Sequence, residues 1–212
     1  MKKLVFVTLA LVIGASTAAI AGVYEVGGTP NSNNTIPFWP TRPGMRWQTI
    51  WRQDEIKEAG PISHVEFRCA ISYSPDSTFT GCQILLCHTT LGHVTTSFSG
   101  NYGGKTPVTV FSGNKVIPAA TVGTWVSVVK PTNFTYNNTD NLLIEVSWVS
   151  ASGAASCPMQ VNSNGRCGRV YAYDPKAETG SVTNNYDQIG RLTVGFEGVA
   201  PTSLGRVKSL FR

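Results

Sequence analysis

Four groups of residues carry side chains able to do chemistry. Cys82, Cys87, His88 and His93 follow one another as C-x4-C-H-x4-H, and thiolates with imidazoles are zinc ligands. The spacing lacks the CxxC pair that structural zinc sites usually show, so no metal is expected. Asp140 stands among Asn137, Asn138 and Asn141, a run of hard oxygens that would suit Ca²⁺. A calcium site collects several carboxylates, and here there is one; Asn and Asp equally make side-chain-to-backbone turns, which is the favoured reading. Asp54, Glu55 and Glu58 form an acidic trio that reads as the exposed side of one helical turn. Trp39, Tyr102 and Tyr186 sit in Pro-, Gly- and Asn-rich loops. Flat aromatic faces cover sugar C–H groups while nearby amides bond hydroxyls, so these three are the candidate ligand-binding residues. The competing role for Trp39 is to plug one end of the core.

A Ser-His-Asp triad can be drawn on paper from His64, His88 or His93 with Asp140 or Asp187. A triad needs a pre-organised nucleophile, and no G-x-S-x-G elbow is present. An enzyme is therefore not expected, and no cofactor is implied. Nucleic-acid binding fails on charge. The formal net charge is +5, but Lys2, Lys3, Arg206, Lys208 and Arg212 sit at the two ends. The body between them balances twelve basic against twelve acidic residues. Its densest basic stretch, Arg42, Arg46 and Arg52, is followed at once by Asp54, Glu55 and Glu58, leaving no basic face for phosphates.

The elements that must position these residues are strands. Met45, Trp47, Thr49 and Trp51 alternate with Arg46, Gln48, Ile50 and Arg52; Val65, Phe67, Cys69, Ile71 and Tyr73 alternate with His64, Glu66, Arg68, Ala70 and Ser72. Leu142, Ile144, Val146 and Trp148 repeat the pattern, as do Leu192, Val194 and Phe196. Shorter strands fall at Ile84–Leu86, Val108–Val110 and Val126–Val128, with a weaker one at Tyr171 and Tyr173. Trp47, Trp51, Trp125 and Trp148 are assigned to core or inter-sheet packing. Gly-, Pro- and Asn-rich turns separate the strands, and helical periodicity is confined to Gln53–Lys57 and the extreme C-terminus. Charged residues are only 14% of the chain. This is the pattern of an all-β, two-sheet antiparallel sandwich, predicted as one domain over 22–198.

Residues 1–21 read as a cleavable signal peptide: Met1-Lys2-Lys3, an apolar run Leu4–Ile13, then Ala19-Ile20-Ala21 as an A-x-A site. Leu4–Tyr24 is uncharged and long enough for an anchor, but its second half is weakly apolar, which favours cleavage after Ala21 and no membrane span thereafter. A secreted or cell-surface location follows. Oxidising conditions there make disulfides the expectation. Cys157 and Cys167 bracket a short loop that a bridge would staple, and Cys69 would pair with Cys82 or Cys87. Five cysteines leave one over. Residues 199–212 form a short basic amphipathic tail with Leu204, Val207 and Leu210 three apart, read either as a frayed end or as an address for export machinery or a surface protein.

Several blocks resemble a known family. Thr35-Ile-Pro-Phe, Trp47-Gln-Thr-Ile-Trp51 and Asp54-Glu-Ile-Lys-Glu-Ala-Gly60-Pro-Ile62 are similar to its opening; Ile84-Leu-Leu-Cys-His88-Thr-Thr resembles its next strand; Gly-Thr-Trp125-Val-Ser-Val matches another. Phe134-Thr-Tyr136-Asn-Asn-Thr-Asp140-Asn141-Leu-Leu-Ile-Glu-Val146 matches the most specific block. The family is a jelly-roll-like β-sandwich accessory domain of secreted and surface proteins of Gram-negative bacteria, often associated with type IX secretion. The resemblance spans residues 30–197. It implies a jelly-roll topology and a non-catalytic module, with no catalytic residue to carry over. The expected function is adhesion or binding of a polysaccharide or surface glycan, the alternative a structural subunit of a surface layer or fibre.

Overall fold

The computed structural model describes residues 21–130 and 132–195. The segments read as a signal peptide and as a basic tail lie outside the described residues, apart from Ala21, as does Phe196. Among the described residues fifteen strands follow one another: β1 (Gly22–Val26), β2 (Ser32–Asn34), β3 (Met45–Trp51), β4 (Gly60–Arg68), β5 (Ser77–Thr89), β6 (Val108–Ile117), β7 (Trp125–Val129), β8 (Thr135–Tyr136), β9 (Asn141–Trp148), β10 (Ser150–Ser152), β11 (Met159–Asn162), β12 (Arg169–Ala172), β13 (Ser181–Thr183), β14 (Asp187–Gln188) and β15 (Gly190–Val194). One α-helical turn, α1 (Gln53–Ile56), links β3 to β4. The described chain is all-β, and its strand pairs are antiparallel.

The largest sheet has the order β10-β5-β9-β3-β12-β13, with β6 also on β5. A second sheet runs β1-β15-β4-β7, with β8 on β4, and a small third sheet is β14-β11-β2. The period-two pattern sets the register. Trp47 faces Val146 and Thr49 faces Ile144 across β3 and β9, which puts the apolar set of both strands on one side. Trp47, Trp51, Ile84, Val146 and Trp148 from the large sheet then share a single core with Val65, Phe67, Val126 and Leu192 from the second. Phe67 meets Trp47 and Trp51 edge-on at 5.9 and 6.1 Å. Each such ring, fully buried, contributes on the order of 2–3 kcal/mol. Their polar ends are mostly used: Trp51 Nε1 donates to the Gln188 carbonyl and Trp148 Nε1 to the Pro37 carbonyl.

The other face of the large sheet is covered as well. Ile50, Cys87, Leu143 and Val170 form a second cluster with Val94 and Phe98, contributed by the long β5–β6 connection. A strand buried on both faces explains why Leu142 and Leu143 are both inside, which strict alternation does not predict.

Two expectations are corrected. Trp125 is not core: its neighbours Val126 and Val128 point inward, so its ring is half-buried on the outer face, against Arg191 at 4.6 Å and Arg68 at 5.7 Å. The expected disulfides are not formed. All five cysteines are buried thiols, and Cys157 and Cys167 belong to the two different clusters on opposite sides of the large sheet. Cys157 Sγ donates to Ser77 Oγ at 3.3 Å, Cys69 Sγ to the Ile71 carbonyl at 3.2 Å. Burial pushes the Cys157 thiol up to about 11 and the Cys82 thiol to about 12, so neither is a thiolate at neutral pH.

Candidate functional site

The first two chemical candidates resolve into structure. Among the described residues, no three His, Cys, Asp or Glu side chains gather as a metal site would require. His88 Nε2 accepts the Asn137 N–H at 3.1 Å, and the ring packs 4.7 Å from Phe134. Burial holds its pKa below the usual imidazole value. His93 lines a separate cleft with Arg166. At Asp140 the turn reading matches the geometry. Asn137 Oδ1 accepts the backbone N–H groups of Thr139 and Asp140, and Asn137 Nδ2 donates to Asp140 Oδ2 at 2.9 Å. Asn138 takes φ = 54°, and Tyr136 Oη donates to the Asp140 carbonyl at 2.6 Å. The "Y-N-x-T-D-N" block is thus a corner that launches β9.

The acidic trio is likewise spent on its surroundings. Glu55 Oε2 accepts the Arg52 N–H, closing the first turn of α1; Asp54 pairs with Arg52 at 3.2 Å; Glu58 accepts the Tyr24 hydroxyl.

The three candidate aromatics divide. Tyr102 packs against the second cluster, and its hydroxyl donates to Glu145 Oε2 at 2.6 Å. It belongs to a buried polar network under the β5–β6 connection. Arg46 grips the same carboxylate twice, Nε to Oε1 at 2.9 Å and Nη2 to Oε2 at 3.2 Å, and donates through Nη1 to the Ala177 carbonyl. Gln48 donates to Glu145 Oε2 and to the Phe98 carbonyl; Asn101 donates to Gln48 Oε1. Burial works against the Arg46 charge, but the Glu145 hydrogen bonds and negative charge outweigh it and raise its pKa. Tyr102 is accordingly a structural residue with its polar end occupied.

Trp39 and Tyr186 are brought into one array that the sequence reading did not assemble. Arg42 lies 3.7 Å from the centre of the Trp39 ring and 4.5 Å from that of Tyr173. Trp39 and Tyr173 meet edge-on at 6.2 Å, and Tyr171 sits 5.7 Å from Tyr173. Arg169 follows, 5.7 Å from the Tyr171 ring and 4.8 Å from the Tyr186 ring. The result is a ladder running Trp39, Arg42, Tyr173, Tyr171, Arg169, Tyr186. Strand β12 explains half of it. Val170 turns into the second cluster, so Arg169 and Tyr171 project from the opposite face, where their register partners on β3 are Thr49 and Trp47. Trp39 and Arg42 arrive on the loop between β2 and β3, which a turn closes through the Arg42 N–H to Trp39 carbonyl bond at 3.1 Å. Tyr186 arrives on the short connection between β13 and β14. Beside the ladder, Tyr171, Ala172, Tyr173, Thr179, Gly180 and Ser181 line a cleft of about 400 Å³.

Arg42, Arg169, Tyr171 and Tyr173 were missed as site residues. The signal was present: Arg-Val-Tyr-Ala-Tyr at 169–173 alternates with period two and puts one guanidinium and two phenols on one face.

No family model, curated protein or solved structure matches the chain. Within the described residues no helix is long and apolar enough to cross a membrane.

Proposed function

We propose that this chain is a non-catalytic binding module of the cell surface or extracellular space, a jelly-roll type sandwich that holds a glycan against the Trp39–Tyr186 ladder. The observation that carries the reading is the ladder itself: three half-buried aromatic rings, the exposed ring of Tyr173 and two guanidinium groups aligned beside β12, next to the edge strand β13. Aromatic rings suit the apolar faces of sugar rings, and guanidinium N–H groups suit their oxygens. Arg169 and Tyr171 are held on β12, and that degree of pre-organisation lowers the ordering cost of binding a flexible chain. Delivery by a cleaved leader over 1–21, and docking of the basic tail on export machinery or a surface protein, belong to the same proposal.

Retention on insoluble polysaccharide or a glycan array tests it. Binding is expected for the full chain, with loss in Trp39→Ala and in Tyr186→Ala and no loss in Tyr102→Phe that tracks anything but stability. Retention untouched by the first two substitutions contradicts the reading. Concentration-dependent filaments in negative stain, with no glycan retained, would instead point to a structural subunit.

A further inference from the structure

The ladder contains one residue whose state the fold leaves unresolved. Arg169 is only 6% exposed, yet neither Nε nor Nη1 meets a hydrogen-bond acceptor. Its aromatic neighbours Tyr171 and Tyr186 lie 5.7 and 4.8 Å from the guanidinium carbon, and a cation–π contact supplies no acceptor for the N–H groups. Burial lowers its pKa, with no carboxylate among the causes acting on it. Arg42 Nε, at the other end of the ladder, and Trp47 Nε1, whose residue pairs with Tyr171 across β3 and β12, are also unmatched. A buried guanidinium with two N–H donors and no carboxylate against it is a group that wants negative oxygen.

The position of Arg169 is fixed from its backbone rather than from its head. Asp187, itself buried, accepts the N–H groups of Arg166, Cys167 and Gly168 at 2.7, 3.0 and 2.6 Å. Thr49 Oγ1 donates to the Gly168 carbonyl at 2.8 Å. Gly168 needs its φ of +70°, and a Cβ there would meet the Thr183 carbonyl at 2.7 Å. The Asp187 carboxylate is therefore committed to the turn that presents Arg169.

We propose that Arg169 is the anion subsite of the glycan-binding ladder, so that the preferred ligand is an acidic saccharide whose carboxylate or sulfate oxygen accepts from its guanidinium while neighbouring sugar rings lie on Tyr171, Tyr173 and Trp39. This rests on the carbohydrate reading and adds the ligand's charge. The anion reaches the screened nitrogens by shifting Tyr186, a half-buried side chain on a short loop. Guanidinium is the group suited to such an oxyanion, because it stays charged when buried and offers several donors in a fixed plane.

Binding of a glucuronate-containing oligosaccharide, its sulfated counterpart, its methyl ester and the neutral gluco-oligosaccharide of equal length tests this with the full chain. A charged sugar is expected to bind roughly tenfold or more tighter than the ester and the neutral sugar. Which charged arm binds better identifies the oxyanion. Arg169→Met should erase the preference and leave weak neutral binding, and Arg169→Lys should restore part of it. The ester comparison is made on the unaltered chain, so the result stands even where a variant fails to fold. Equal binding of ester and free acid, or a preference that survives Arg169→Met, overturns the inference while leaving the carbohydrate reading intact. Binding of no sugar overturns both.

Discussion

Two arginines enter the same sheet from neighbouring strands and meet opposite fates. Arg46 on β3 meets Glu145, Tyr102 and the Ala177 carbonyl, and every member of that network is itself held by another. Arg169 on β12, one strand away, is more deeply covered and has rings where the other has oxygens. The difference separates two uses of a buried charge. A matched one locks elements together: Arg46 and Gln48 tie β3 to β9 and to the β5–β6 connection. An unmatched one costs stability and leaves donors open.

That contrast can be broken from either side. The largest effect is expected at Glu145→Ala, which strands Arg46 without its carboxylate. Urea unfolding should show a loss of about 3–5 kcal/mol; a loss under 1 kcal/mol would mean that the network is ornamental. Asp187→Asn comes next. It keeps the shape but weakens three charge-assisted bonds, and a loss of about 2–3 kcal/mol is expected, together with reduced glycan binding, since the Arg169 turn loosens. Arg169→Met is expected to be neutral or to stabilise by about 1 kcal/mol, because it removes a desolvated charge with no partner. A loss as large as that at Glu145 would show that Arg169 is a structural residue like Arg46. The smallest effect concerns His88. Burial depresses its pKa, so the unfolded chain binds the proton more readily than the folded one. Stability should be complete above about pH 6.5 and decline as pH falls through and below that value. In His88→Gln that part of the pH slope should disappear.

The sequence legibility of the two regions differs for a physical reason. Period-two alternation reports which face of a strand is apolar, and it located β3, β4, β9 and β15, with Trp47 and Trp51 on β3 and Trp148 on β9 turned inward. It misplaced Trp125 because large aromatics are read as core, whereas β7 puts its valines inside and its tryptophan on two surface arginines. The turn chemistry at Asp140 was readable because Asx turns are local, their partners lying within three residues. The ladder was not, because its six members come from three segments spanning residues 39 to 186, and only Trp39 and Tyr186 stood out by loop composition. Tyr102 looked the same in sequence as those two. Its loop folds back so that the hydroxyl reaches Glu145, 43 residues away, a pairing that no local pattern announces. The cysteine arithmetic failed for a related reason: a short loop closes easily in a free chain, but β12 delivers Cys167 to the far side of the sheet from Cys157.

The central claim is that the ladder, and not the Arg46 network, is where a ligand binds. Nitrogen-detected titration of the arginine Nε–H and tryptophan Nε1–H resonances with a glucuronate-containing oligosaccharide tests it directly. The account predicts saturable shifts at Arg169, Arg42 and Trp39 with Arg46 unmoved. Shifts centred on Arg46, or none at Arg169 while the sugar is bound, would contradict it.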